Sequence, residues 1–210
     1  MQVCEIKNPR VLELLEHFRY LYRDKYDVTK TNNMIGSLES DSRYFTSCKY
    51  RDIIVDMGSD FRGDPETARS YPLKPNHYNG DDPEYRKDFE RIDIALQTEL
   101  GINSNALSQL YPPDGFIAWH NNANAVGYNL IFTWSETGEG WFKYLDKYGN
   151  EILITDKKGW SLKAGYFGNY DDGQLCYHAA YTKCWRLTQS FVVSQDIDYW
   201  KDCIEMIGDK

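Results

Sequence analysis

Histidine is scarce in this chain: four in 210 residues, at positions 17, 77, 120 and 178. A metal centre built from many imidazoles is therefore excluded, and any site must draw on very few positions. Cysteine is odd in number, five residues with no CxxC spacing, which argues against a disulfide frame or a zinc ribbon and for reduced thiols. Cys176 and Cys184 flank the fourth histidine and read as small buried hydrophobes rather than metal ligands. No apolar run reaches membrane-spanning length, and Met1-Gln2-Val3-Cys4-Glu5 does not read as a signal peptide, so a cytoplasmic protein is expected. Basic residues are outnumbered, 24 against 32 acidic, giving a formal charge of -8. That balance disfavours general binding to a nucleic-acid backbone, though Arg51, Arg62 or Lys74 leave room for a local basic groove. Internal repeats, low-complexity tracts and a clear linker are all missing.

What the chain does have is aromatic residues: 17 Tyr, 9 Phe and 6 Trp, a composition suited to strands and half-buried surfaces. Asn8-Pro9 is a helix start, followed by Val11, Leu12, Leu15, Phe18, Leu21 and Tyr22 at helical spacing as far as about Tyr26. Asp82-Pro83 repeats the signal, with Phe89, Ile92, Leu96 and Leu100 as the apolar stripe and Gly101 as the stop. Between them, Arg51–Asp56 reads as a strand, and 62–82 as a polar loop that is either a plain connector or a lid over a site. From Ala106 onward, short aromatic and β-branched runs alternate with turns. They are Ala106–Tyr111, Gly115–His120, Tyr128–Trp134, Gly140–Leu145, Glu151–Thr155, Trp160–Leu162, Tyr166–Phe167, Leu175–His178 and Trp185–Ser194, with a closing helix over Asp196–Gly208. The expected architecture is mostly β with supporting helices: one domain comprising helical support (1–103), a β sandwich or barrel (104–195) and a C-terminal helix (196–210).

Two of the four histidines sit in ligand-like context. Trp119-His120-Asn121-Asn122 closes one aromatic run, and Tyr177-His178 precedes Arg186-Leu187-Thr188 by a strand's length. Two imidazoles and one oxygen donor on a single face can hold a non-haem iron, leaving further positions open. Alternation puts residues two apart on the same side, so His120 and Asn122 form a candidate pair, with His178 as the distant third. An amide oxygen is a neutral, weaker donor than a carboxylate. On the last strand, Arg186, Thr188 and Ser190 share a face, and a guanidinium with a neighbouring hydroxyl suits the far carboxylate of an acidic cosubstrate.

These fragments resemble the Fe(II)/2-oxoglutarate-dependent oxygenases, over roughly residues 104–195. The motif of that family is His-x-Asp/Glu, a distant His, and then Arg or Lys, often as Arg-x-Ser. Trp119-His120-x-Asn122 and Arg186-x-x-x-Ser190-Phe191 are also similar to small phage-encoded members. The resemblance implies a double-stranded β-helix of jelly-roll (cupin-like) topology, Fe(II) held by His120, Asn122 and His178, and 2-oxoglutarate bound by Arg186, Thr188 and Ser190. Tyr111 or Tyr128 would add a hydrogen bond to the cosubstrate, and Asn129 is a further contact. The implied activity is hydroxylation of a C–H bond in a protein side chain or small molecule. Asn122 stands where that family has a carboxylate; Asn121 and Asn124 do not repair this, and Asp114 lies before the strand and points elsewhere.

Each residue also has a plainer reading. A single histidine in an aromatic strand is usually a hydrogen-bonded packing residue, and His17 and His77 belong to no motif. Of Tyr128, Phe132, Trp141, Tyr144, Trp160 and Tyr166, most are expected to fill core rather than line a cavity. The competing function is a non-catalytic jelly-roll module, possible because fold does not fix function. Deciding between the two requires the rings to converge and Arg186 to face them across a cavity; rings in separate layers, or Arg186 buried against an internal acid, would overturn the enzyme reading.

Overall fold

The computed structural model describes residues 1–36, 41–75, 82–122 and 125–208, and of Thr31 only the backbone. His77, Asn124 and the end of the 62–82 loop therefore lie outside the described residues. Both expected helix starts are present. Asn8 accepts from the Arg10 and Val11 amides to open α1 (Pro9–Arg19), which continues into a π-helical segment over Tyr20–Lys25. Short helices α2 (Val28–Thr31) and α3 (Ser42–Phe45) follow, then α4 (Cys48–Met57). Asp82 caps α5 (Pro83–Leu100), and Gly101 ends it with a left-handed φ of 68°. The last helix, α6 (Ile197–Gly208), is capped by the Asp196 carboxylate.

Residues 51–56 are a correction: they belong to α4, not to a strand. The β-branched run Ile53-Ile54-Val55 suggested extension, but the Ser47 hydroxyl caps a helix start at the Tyr50 amide. Tyr50 and Ile54, four apart, then bury one helical face while Ile53 and Val55 stay exposed.

Eleven strands are described: β1 (Gln2–Cys4), β2 (Ala68–Arg69), β3 (Tyr71–Pro72), β4 (Asn105–Tyr111), β5 (Phe116–His120), β6 (Gly127–Ser135), β7 (Gly140–Leu145), β8 (Glu151–Thr155), β9 (Gly159–Phe167), β10 (His178–Thr182) and β11 (Arg186–Val192). Two expected fragments, 160–162 and 166–167, fuse into β9, which runs straight through Lys163. The strand expected at 175–178 instead begins at His178 and runs on through Ala179-Ala180-Tyr181.

The strand order explains the architecture. One sheet reads β1-β9-β6-β11-β4-β3 and the other β2-β5-β10-β7-β8, with every ladder antiparallel. From β4 to β11 the chain crosses between sheets at each step except the β7–β8 hairpin. That winding is a double-stranded β-helix, the jelly roll. The first sheet packs its outer face on α1, α5 and α6 through Val11, Leu15, Phe89 and Leu96 against Leu130, Phe132 and Leu187. The second packs its outer face on α4, where Tyr50 and Ile54 meet Phe116 and Trp119. Between the sheets, Tyr111, Ile117, Ile131, Phe142 and Phe167 surround a cavity.

Candidate metal and anion site

His120 and His178 are partners on the same rung of the β5–β10 ladder, with ring centroids 4.2 Å apart. Chain geometry alone would not put His120 there. Ile117 and His120 both line the cavity although three positions apart, which strict alternation forbids. The ladder shifts register between the pairs His178↔His120 and Ala180↔Ile117. β5 spends three residues where β10 spends two, and this bulge turns His120 inward.

Each ring is fixed from behind. Nδ1 of His120 lies 2.8 Å from the Ala118 carbonyl oxygen, and Nδ1 of His178 lies 2.8 Å from that of Cys176. A carbonyl can only accept, so each Nδ1 carries the hydrogen and each Nε2 is left with its lone pair. Burial pulls His120 down to about 4. Burial, and then the neighbouring His120, takes His178 well below the usual imidazole range. Both rings are therefore neutral donors, the state in which imidazole binds a metal.

Asn122 lines the same cavity, but no carboxylate joins it: among the described residues no group of three or more His, Cys, Asp or Glu side chains could hold a metal. Asp64 lies close enough to act electrostatically on His120, yet its oxygens accept from the Glu66 amide and the Thr67 hydroxyl. Asp114 does point elsewhere, taking the Tyr181 hydroxyl at 2.7 Å. Asn121 turns its amide to the Tyr170 hydroxyl. Two imidazoles and one amide oxygen fit a divalent iron, with less negative charge than a carboxylate would bring.

The cavity, of about 220 Å³, carries Arg186, Thr188 and Ser190 along β11, with Gln109, Tyr111 and Asn129 on the flanking strands. Asn129 was expected to contact a ligand and does line this wall. Arg186 requires a correction. Its Nε donates to Asp156 Oδ2 at 2.9 Å, its Nη1 to the Thr188 hydroxyl at 2.8 Å, and its Nη2 to the Thr133 hydroxyl at 3.5 Å. An internal acid does meet the guanidinium, the contact that counts against an enzyme. A second buried cation, not foreseen, alters that balance: Lys163 Nζ binds the other oxygen of Asp156 at 2.9 Å. Burial alone would raise Asp156, but the Arg186 and Lys163 charges outweigh it and hold the carboxyl below its ordinary value. Burial in turn lowers Lys163, against the pull of Asp156.

Tyr128 is a second correction. It sits on the opposite face of β6, packed on Tyr166 and Trp200 at 4.9 and 4.7 Å between ring centroids, and does not reach the cavity. Tyr111 does line it, beneath the Arg186 guanidinium, with its hydroxyl donated to Gln109. None of Phe132, Trp141, Tyr144, Trp160 and Tyr166 lines it; the aromatic walls are Phe142 and Phe167, which also pack on His178. The segment after α4 is more than a connector. Gly63 bridges to His120, the Arg62 carbonyl accepts from the Asn121 amide, and Pro65 enters the cavity wall.

Asp156 and Lys163 were the residues missed. The available signal was a continuous strand through 159–167, which places Lys163 on the same face as Phe167.

No protein-family model and no curated protein sequence matches the chain. Among solved structures, it is similar to a Pseudomonas putida prolyl-4-hydroxylase, at 15% identity and TM-score 0.38, covering 91% of this chain and 90% of that one. It is also similar to a Trichoplax adhaerens prolyl hydroxylase in complex with a hypoxia inducible factor oxygen degradation domain peptide fragment, at 10% identity and TM-score 0.35, covering 87% and 92%. A third is the full-length thymine 7-hydroxylase of Neurospora crassa in complex with alpha-KG, at 13% identity and TM-score 0.33, covering 73% and 67%. The fold class follows from the strand order alone.

Proposed function

We propose that the cavity holds Fe(II) and 2-oxoglutarate and that the protein is an oxygenase acting on a C–H bond of a polypeptide side chain or small molecule. The carrying observation is the cross-strand pair of backbone-tethered, neutral imidazoles facing the same cavity as Arg186, Thr188 and Ser190. His120 and His178, completed by Asn122, would hold the iron. When bound, iron and 2-oxoglutarate supply the oxidising chemistry, consuming O2 and releasing succinate and CO2. The chain's own part is placement. Arg186 with Thr188 and Ser190 receives a carboxylate, and Ile117, Ile131, Phe142 and Phe167 keep water from the reacting end. Asn129 ties its amide nitrogen to the Gly127 carbonyl, which leaves its oxygen as an acceptor.

Anaerobic addition of Fe(II) and 2-oxoglutarate tests this by absorption: a weak visible charge-transfer band is expected, lost in His178→Ala and much reduced in Arg186→Ala. Slow succinate formation in air, without added substrate, should accompany it. Absence of iron uptake at tens of micromolar Fe(II) would sink the reading. That outcome would favour a non-catalytic jelly-roll module, the reading supported by the amide at 122 and the Arg186–Asp156 pair.

A further inference from the structure

We propose that Lys163, which does not touch the cavity, sets the charge of its anion-binding end through Asp156, making it a positioning residue for the ligand carboxylate; this rests on the function proposed above. The side chains of Lys163, Asp156 and Arg186 are 1%, 0% and 2% exposed, so water screens none of them. One carboxylate is shared between two cations, one oxygen to each, both at 2.9 Å. The formal sum is two positive charges less one negative, an excess of one positive charge. Only Arg186 of the three lines the cavity.

Without Lys163, Asp156 and Arg186 would be a closed neutral pair, and an arriving carboxylate would meet a dipole instead of a cation. With Lys163 present, Asp156 is already compensated. It can orient the guanidinium through Nε while the Nη edge keeps its charge for the ligand. The arrangement therefore reconciles an acid beside Arg186 with an anion site.

The test is calorimetric titration of 2-oxoglutarate into Mn(II)-loaded protein, with Mn(II) affinity and thermal midpoint measured alongside. Lys163→Met should weaken 2-oxoglutarate at least tenfold and leave Mn(II) affinity within twofold. Lys163→Arg, which keeps the charge, should stay within about threefold of the wild type. The decisive arm is the double variant Asp156→Asn/Lys163→Met. It restores the single excess positive charge on Arg186 and should recover binding to within about threefold. A purely structural lysine would show no such recovery, and a double variant no better than the single would overturn the proposal, as would wild-type binding by Lys163→Met. If Lys163→Met is too unstable to titrate, the double variant decides alone: a tenfold loss refutes the charge argument. Failure of the wild type itself to bind 2-oxoglutarate would instead bring down the proposed function, and this inference with it.

Discussion

At position 122 an amide oxygen stands where the resembled motif has a carboxylate, so the substitution Asn122→Asp isolates that one difference. A negative oxygen beside two neutral imidazoles should tighten divalent metal binding by roughly tenfold or more, about 1.4 kcal/mol, read by Mn(II) titration. Unchanged affinity would remove residue 122 from the coordination shell. The imidazoles themselves couple stability to acidity. In the unfolded chain they take up protons below about 6.5, whereas folded His120 does so only near 4 and folded His178 well below 6.5. Protons therefore favour unfolding: the full stability is present above about pH 6.5 and falls as the pH drops towards 4. For His120 the gap, 6.5 less 4, corresponds to roughly 3 kcal/mol. Asp156 adds its own loss only lower, beneath its ordinary 3.8. Urea unfolding at pH 7 and pH 5 measures the difference, and equal midpoints would contradict neutral buried rings. That His120, His178, Asn122 and the Arg186-Thr188-Ser190 face converge on one cavity was legible in part from spacing, but the bulge that turns His120 inward was not. Asp156 was not, because a single acid in a turn carries no periodicity to mark it.

Among the elements, the strands from β4 to β8 could be read almost to the residue, since each is an aromatic or β-branched run of at least five positions between clear turns. β2 and β3, with two residues each, are too short to show any period, and their pairing depends on partners far along the chain. α4 was misread for a different reason. Its three β-branched residues favour strands locally, and only burial of Tyr50 and Ile54 against β5 selects the helix. The segment crossing His120 offers a direct test at this scale. Gly63 has a φ of +80°, and a Cβ there would meet the Trp119 carbonyl oxygen at 2.5 Å. Gly63→Ala should cost on the order of 1–3 kcal/mol and speed amide exchange at Asn121, whose N–H binds the Arg62 carbonyl. Exchange at wild-type rates would show that the segment is not held by this bridge.

Across the whole molecule, the jelly roll is covered by helices on both outer faces, and the site lies between the sheets, remote from that cladding. Support and chemistry should therefore separate. Leu96→Ala removes a fully buried side chain where α5 meets the large sheet and should destabilise by about 2–5 kcal/mol, leaving Mn(II) affinity unchanged below the unfolding transition. A parallel loss of metal binding would mean that the helices hold the site as well as the fold. The helical cladding of the large sheet was foreseen from caps and apolar stripes, whereas α4 on the other sheet and the order of strands within each sheet were not, because pairing between distant segments leaves no trace in local pattern.

The extra residue in β5 has a consequence for how this chain can change. Ironing out the bulge while keeping every residue would leave His120 three positions from Ile117 and turn its imidazole out through the sheet towards α4, abolishing the paired rings while most of the architecture survived. Losing one of Ala118 and Trp119 together with the bulge would set the histidine two positions from Ile117 and return it to the cavity face, so this strand can shed its irregularity only along with one residue.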